Sequence, residues 1–471
     1  MLRSLWLLAL YLSFIGLGFS APFVLTLGYV WVDIFRPQEV AYILLNQFPV
    51  SMIMGLLALG SYFLLDRRSP PPLNGVTMVH FCMAIWTCVT MIWAVSPDAA
   101  WYKWDWAFKT VAFSAFLPFV IRSRVQIEAF VQVFVFSLGA NFISFGIKTL
   151  ISGGGYGTNL GLQQGNTGLS EGGLLSTTCL MVVPLALYLA KHHQLMPKLP
   201  FIRFGYFGLA GLSLATAIGT YQRSAIIGMV ALGGFLAVRS RHKLAYTLAG
   251  VVVLGILAVA TSDQWLGRVG SIGQYKEDSS AMTRLLMWKW TLDFSFRQPL
   301  GGAFSAHMIS SISHPPSPTN PGGFIEFSRA FHSIYFEMLG EQGWPGLAMF
   351  VFMTLATMFS TYRLERKTKK IPELLWCSDL AVAIQAGLVA FLTAGAFVGM
   401  VFQPMYWFFI AMGVSLRAYV WRVEQMDRAP QTGWRATATS LAESAGPVTP
   451  GGWRPATIQG GLAPQRGRRT S

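Results

Sequence analysis

The strongest candidate for a catalytic group in this sequence is a histidine at the mouth of a hydrophobic segment. His332 stands in SRAFHSIYFEMLGEQGWPGL (residues 328–347), where a polar loop ends and a long apolar run begins. Tyr335, Glu337 and Glu341 follow it closely. Because imidazole titrates near neutral pH, His332 could act as a general base on a hydroxyl group. A lone histidine more often has a structural role, and the residues alone leave both interpretations open.

A second candidate feature is an arginine paired with a tryptophan. Arg284 and Trp288 are four positions apart in SSAMTRLLMWKWTLDFSFRQPLGGAF (279–304), so they share one face of a predicted helix. A guanidinium there could form paired hydrogen bonds with phosphate oxygens while the indole covers a lipid or a sugar. Arg297 follows on the same segment, just before the QPLGG turn. The alternative is an interfacial amphipathic helix that Trp and Lys side chains anchor.

Arg223, in AIGTYQRSAIIGMV (217–230), is the third candidate. An arginine at a helix end can simply extend its charged head to lipid headgroups. Two arginines on one face of a membrane could instead hold a diphosphate, beside a histidine that activates a nucleophile. Since no acidic DxD-type pair occurs in the early loops on that face, we expect arginines rather than a metal ion to stabilise the leaving group.

The composition indicates which class of protein positions these groups. Of the 471 residues, 53% are hydrophobic and only 12% are charged, whereas soluble domains carry about a quarter charged residues. The charges separate apolar runs of about 20 residues, the length that crosses a bilayer. We therefore predict an all-α polytopic membrane protein. The formal charge of +15 lies largely in short loops between the runs, which is typical of membrane topology and argues against nucleic-acid binding.

Thirteen apolar runs are present, and because the first two could form one hairpin, we predict 12 or 13 transmembrane helices. With a cytoplasmic C-terminal tail, the loops on the inside carry fifteen Lys and Arg residues, and the short outer loops carry about one each. This asymmetry predicts the sidedness and puts all three candidate features on the outer face. The runs cover 4–20, 22–35, 43–65, 75–95, 106–121, 127–150, 172–190, 204–221, 224–238, 244–262, 336–362, 376–399 and 403–421.

Three regions are predicted along the chain. Residues 1–171 form an N-terminal membrane region, and 172–421 form a second membrane domain. The second domain contains the one long outer loop, 263–331, which is periplasmic if the protein is bacterial. Its aromatic and amphipathic patches favour a partly helical lid along the membrane surface. Residues 422–471 lack the apolar content to pack and are predicted to be a disordered cytoplasmic tail.

The C-terminal motifs resemble those of the O-antigen ligase/polymerase superfamily of bacterial inner-membrane proteins. In that family an arginine and a tryptophan precede PLxGxG, and HNxYLxxLxExGxxGL follows. Here Arg284, Trp288, QPLGGAF and HSIYFEMLGEQGWPGL occur in the same order within 172–421, with Ser333 where many relatives have asparagine. The N-terminal stretches GYVWVDIFRPQ and GGGYGTNLGLQQGNTGLSEGG resemble a narrower branch, the O-glycosylation ligases associated with exosortase A systems.

The resemblance implies a metal-independent, inverting glycosyltransferase without a cofactor, in the inner membrane and with its active site facing the periplasm. Its donor would be an undecaprenyl-diphosphate-linked glycan, and its acceptor a hydroxyl group on a protein, lipid or polysaccharide. Arg223 and Arg284 would bind the diphosphate, and His332 would assist the acceptor hydroxyl. Glu341 and Gly343 are expected to shape the helix. Possible substrate contacts are Trp288, Arg297, Tyr335 and Glu337.

Two alternatives stay open on the sequence. A polymerase that extends one lipid-linked glycan with another shares the donor and the chemistry, so the motifs do not separate it from a ligase. A transporter or flippase belongs to a different class and tends to have repeated halves with charges near the bilayer midplane. The sequence has no clear internal repeat, and its distinctive charges lie at the predicted outer surface.

Overall fold

The computed structural model describes residues 2–41, 45–65, 73–152, 169, 171–239, 279–316 and 322–428. It divides into two units, Met1–Trp421 and Arg422–Ser471. Two short antiparallel strands, β1 (Ser311–His314) and β2 (Phe324–Phe327), form a hairpin. The α-helices of the described part are α1 Leu2–Ser20, α2 Phe23–Phe35, α3 Pro37–Val40, α4 Val50–Leu65, α5 Gly75–Val89, α6 Pro97–Val120, α7 Arg124–Ser152, α8 Gly172–His192, α9 Pro200–Gly219, α10 Arg223–Arg239, α11 Ser279–Arg297, α12 Ile334–Thr368, α13 Leu375–Ala394 and α14 Pro404–Arg428.

The predicted all-α membrane class is confirmed. Within the described residues, seven helical segments are long and apolar enough to cross a membrane, and α2 and α4 are shorter apolar helices. The predicted run 244–262 lies outside the described residues, and each of the other runs overlaps a helix. The total of 12 or 13 spans stays a prediction. The seven segments are Leu2–Ser20, Gly75–Trp93, Arg124–Ile151, Gly172–His192, Pro200–Gly219, Ile334–Thr368 and Pro372–Phe397.

The core is built around α8, which is apolar on every side and therefore buried on every side. Of the most apolar 18 residues of this helix, 94% are buried. Helix α8 packs against α9 and α13. The first turns of α14 add large aromatic side chains, of which Trp407 and Tyr406 are fully buried. Tyr406 stacks on Phe391 of α13 with ring centroids 5.0 Å apart. These helices form the frame that holds the loops described below.

Polar contacts mark two ends of this helix assembly. At one end, α6 contacts the start of α12 through Lys103 and Glu337. At the opposite end, the last turn of α8 meets the first turns of α13 through Lys191 and Asp379. The predicted loop 263–331 contributes α11 and the β hairpin, while its residues 263–278 and 317–321 lie outside the described residues.

A kink divides α12 into a short first segment and the membrane-spanning remainder. Gly343 causes it, because its φ of +68° and ψ of −169° are not helical. Gly301 in the QPLGG turn also has a positive φ, of +80°, and a Cβ atom there would lie 2.4 Å from the Gly343 nitrogen. The amide of Trp344 donates to the carbonyl of Pro299 at 3.0 Å. The turn is thus packed backbone to backbone on the kink, which only glycine allows at these two positions.

Candidate active site

His332 lies between the polar loop and the first turn of α12, with its side chain 23% exposed. Its φ of +47° is left-handed, a conformation that costs a non-glycine residue about 1–3 kcal/mol and persists only where neighbours enforce it. On one side, Trp288 Nε1 donates to the Phe331 carbonyl at 2.9 Å. On the other side, the Glu337 amide donates to the Ser333 carbonyl at 2.8 Å. The backbone of His332 is therefore held from both directions.

Helix α11 carries the predicted arginine and tryptophan and packs against α12. The Trp288 ring stacks on Phe336, with centroids 5.1 Å apart and planes within 6°. Arg284, one turn earlier on the same face, is half-buried. Arg284 and Trp288 therefore share one face of α11, as their spacing predicts, and Trp288 contacts the segment that holds His332.

The electrostatic surroundings of His332 keep its imidazole neutral at pH 7. Burial lowers the pKa of His332 to about 4, and the positive charges of Arg284 and Arg329 act in the same direction. His307 also lowers this pKa, whereas the Glu337 carboxylate opposes the change. A neutral imidazole can accept a proton, which is the property that a general base requires.

His307 is a second histidine at the site that the sequence analysis did not single out. It lies in a single 3-10 turn, Ala306–Ile309, and its ring meets the edge of Phe331 with centroids 5.5 Å apart. Burial and the positive charge of Lys103 together lower the pKa of His307 to about 4, while the Glu337 carboxylate opposes the change. In the sequence it stands in a Ser-rich and Pro-rich loop, where no spacing connects it to His332.

Glu337 and Glu341, one turn apart on α12, share the ammonium group of Lys103. Its Nζ lies 2.7 Å from Glu337 Oε1 and 2.8 Å from Glu341 Oε1. The other oxygen of Glu337 accepts a hydrogen bond from the Val401 amide at 3.0 Å, and Glu341 Oε1 accepts one from the Ser305 amide at 2.9 Å. Both carboxylates are buried and held by the protein itself. Lys103 could not be recognised from the sequence, since nothing in its local pattern indicates burial.

Glu171, at the start of α8, lies beside His332. Its Oε1 lies 3.8 Å from His332 Nδ1, and its side chain is 52% exposed. This contact is an ion pair only when the imidazole is protonated. Within the described part of the chain, no cluster of three or more His, Cys, Asp or Glu side chains is arranged to hold a metal ion.

Three further residues proposed from the sequence are Arg223, Arg297 and Tyr335. Arg223 begins α10, which packs on α13 and α8. Arg297 is exposed at the end of α11, where its Nε donates to the Asp293 carbonyl at 3.2 Å. The Tyr335 hydroxyl donates to the Leu392 carbonyl of α13 at 3.0 Å. Arg297 and Tyr335 thus bond to backbone carbonyls, whereas Trp288 and Glu337 contact the segment around His332.

Two regions of the chain match known protein families. A family described as O-Antigen ligase matches residues 208–351, and a family of unknown function (DUF5935) matches residues 2–194. A comparison with curated proteins finds no match. The fold and the matched region define a multi-pass membrane protein with an O-antigen ligase domain. The match over residues 208–351 supports the predicted O-antigen ligase/polymerase superfamily. Its likeness to the exosortase-associated branch stays a prediction.

Proposed function

We propose that this protein is an inner-membrane glycosyltransferase that moves a glycan from an undecaprenyl-diphosphate carrier to an acceptor hydroxyl on a protein, lipid or polysaccharide. The main support is the position of Arg284 on α11, one turn before Trp288, whose indole donates to the Phe331 carbonyl directly before His332. A guanidinium suited to phosphate oxygens and a neutral imidazole suited to accept a proton are thus neighbours. The match of residues 208–351 to the O-antigen ligase family supports the class of donor.

In the proposed reaction, Arg284, together with Arg223, binds the diphosphate. The acceptor oxygen attacks the anomeric carbon and forms the new glycosidic bond while the bond from that carbon to the diphosphate oxygen breaks. His332 takes the proton of the acceptor hydroxyl, and the diphosphate leaves with the bonding electron pair. Attack opposite the leaving group inverts the anomeric configuration. Arginine charge stabilises the departing anion, so the mechanism uses no metal ion.

Donor binding would also strengthen the base. The positive charge of Arg284 is one cause of the low pKa of His332. The negative charge of a bound diphosphate would offset the positive charge of Arg284. The pKa of His332 would then rise towards its ordinary value of about 6.5. His332 is then a better proton acceptor in the donor complex than in the free enzyme. This coupling would limit activation of an acceptor hydroxyl when no donor is present.

We further propose that the site faces the periplasm and that the C-terminal tail is cytoplasmic. The support is the excess of Lys and Arg in the alternate loops. Lys191 and Arg239 lie in the last turns of α8 and α10, so both helices have a basic residue at the end that is proposed to be cytoplasmic. Single cysteines placed near residue 309 and near residue 369 test this: only the first should react with a membrane-impermeant maleimide in spheroplasts.

The decisive experiment is a transfer assay with the purified protein in lipid nanodiscs and a lipid-diphosphate-linked glycan. A single glycan added to an acceptor supports the ligase, whereas a ladder of longer lipid-linked products supports a polymerase and overturns the ligase. His332→Ala should abolish transfer. His192→Ala, at the far end of α8, is the matched control and should retain it. Full transfer by His332→Ala contradicts the assignment of the base.

A further inference from the structure

The candidate active site extends beyond the O-antigen ligase region into the part of the chain that matches a family of unknown function. Lys103 of α6 lies in that part, outside residues 208–351. We propose that Lys103 is a positioning residue for glycosyl transfer, which holds Glu337 and Glu341 and thereby fixes the start of α12 and the charge beside His332. The N-terminal region would then be needed to complete the site. This inference rests on the proposed function.

The geometry of the three side chains is that of a buried, shared ion pair. The exposed fractions are 15% for the Lys103 side chain, 9% for Glu337 and 0% for Glu341. Both contacts of the ammonium are shorter than 3 Å. Phe402 and Phe304 flank it, with ring centroids 5.3 Å and 5.9 Å from Nζ. Such rings attract a cation and displace water from it, which strengthens the ion pairs.

Charge balance explains why a cation is required here. Glu337 and Glu341 are four positions apart on α12, where two carboxylates repel each other. Burying them without a counter-ion would be strongly unfavourable. Lys103 reduces the formal charge of the group from −2 to −1 when both carboxylates are ionised. It also connects α6 to the segments of Ser305 and Val401, whose amides donate to the same carboxylates.

Glu337 links this group to the candidate base. Its carboxylate acts on His332 against the effects of Arg284, Arg329 and His307. Glu171 is the remaining charged neighbour of the imidazole, at 3.8 Å. Without Lys103, the negative charge of Glu337 would lose its closest compensation. The proton affinity of the imidazole would then rise, and the first turn of α12 would lose its attachment to α6.

Other contacts from the N-terminal region support the same part of the site. The indole of Trp86 donates to the Gln342 carbonyl at 2.9 Å, just before the kink of α12. The indole of Trp93 donates to the Gly301 carbonyl at 3.0 Å. Because these carbonyls lie on the turn and helix that surround the carboxylates, α5 and the segment after it brace the same structure.

The test compares Lys103→Met and Lys103→Arg with Lys109→Met in the nanodisc transfer assay. Lys109 also lies on α6, but its partner Asp105 is 65% exposed, so this control should behave like the wild type. Lys103→Met should slow transfer at least about tenfold, and the acid limb of its pH–rate profile should move to higher pH. Lys103→Arg should recover most of the rate. A folded Lys103→Met protein with the rate and pH profile of the wild type overturns the inference.

A double variant separates the charge effect from loss of folding. Lys103→Met with Glu341→Gln removes one charge of each sign, so the group keeps its formal charge of −1. Its acid limb should return towards that of the wild type. If Lys103→Met does not fold, the double variant is compared with Glu341→Gln alone, and the double variant should have its limb at higher pH. Equal limbs in that pair contradict the inference.

The proposed function and this inference fail in different ways. A wild-type protein that transfers no glycan, or a His332→Ala protein that transfers at the wild-type rate, contradicts the proposed function. Transfer that depends on His332 but is insensitive to Lys103 contradicts this inference alone.

Discussion

Trp288 Nε1 lies 2.9 Å from the carbonyl oxygen of Phe331, the residue directly before His332. An aromatic side chain that the sequence left as either a lipid anchor or a substrate contact therefore fixes the backbone of the candidate base. The stacking of its ring on Phe336 sets the distance between α11 and α12. The hydrogen bond then sets the orientation of the peptide that leads into His332.

Replacing Trp288 by phenylalanine tests this role, because the smaller ring can still stack but cannot donate. We expect a loss of about 1 kcal/mol in stability and a fall of about tenfold in kcat with little change in the KM for the donor. Steady-state transfer kinetics and a thermal melt measure the two effects. Trp290→Phe is the control, since Trp290 stacks on Phe294 of the same helix. Equal kinetic losses in both variants would count against a positioning role.

Arg284→Gln should weaken binding of the lipid-diphosphate donor and also change the base. The KM for the donor should rise at least about tenfold, because a charge-assisted contact to phosphate is lost. Since Arg284 lowers the pKa of His332, the acid limb of kcat/KM should move to higher pH in this variant. Lys289→Gln removes one charge from the exposed side of the same helix. Should both variants lose donor affinity equally, the effect reflects net charge rather than a site.

The pH dependence of the wild type should reveal the coupling between donor and base. The neutral imidazole is the active form, so the rate rises as the pH increases through the pKa of His332. In the free enzyme this pKa is about 4, and it is expected to be higher with the diphosphate bound. The acid limb of kcat should therefore lie at higher pH than that of kcat/KM for the donor. Identical limbs would falsify the coupling.

The paired glycines should tolerate no side chain. Gly301→Ala or Gly343→Ala would put a Cβ atom 2.4 Å from backbone atoms at a positive φ, which we expect to cost about 2 kcal/mol or more in stability. Thermal melts in detergent measure this. Gly233→Ala is the control: Gly233 lies in α10 with open space around its Cβ position, so alanine should stabilise that helix by about 1 kcal/mol. If Gly343→Ala unfolds at the same temperature as the wild type, the close packing of the QPLGG turn on the α12 kink does not contribute to stability.

The parts of the structure that depend on local pattern could be predicted from the sequence. Apolar runs of bilayer length predicted the helices, and the four-residue spacing of Arg284 and Trp288 predicted their shared face on α11. These features arise within one segment, where the period of the helix determines which side chains lie together.

The parts that arise from contacts between distant segments could not be predicted. Lys103 is 234 residues before Glu337 in the sequence. The residues next to it in the sequence indicate only a basic residue in a short loop between apolar runs. His307 stands in a Ser-rich and Pro-rich stretch of the sequence, where no motif indicates a role. Only the packing of α6, α11 and α12 brings these residues to His332, and a single sequence contains no signal for such packing.

Four non-glycine residues near the site have a positive φ: Ala303, Ser305, Ser328 and His332. This backbone conformation is unfavourable for a non-glycine residue, so each of the four would leave it if its neighbours relaxed. The helices have no such dependence, since their hydrogen bonds lie within each segment. On heating, transfer activity should therefore be lost at a lower temperature than the helical circular dichroism signal, leaving a protein that is still folded in the membrane but catalytically silent.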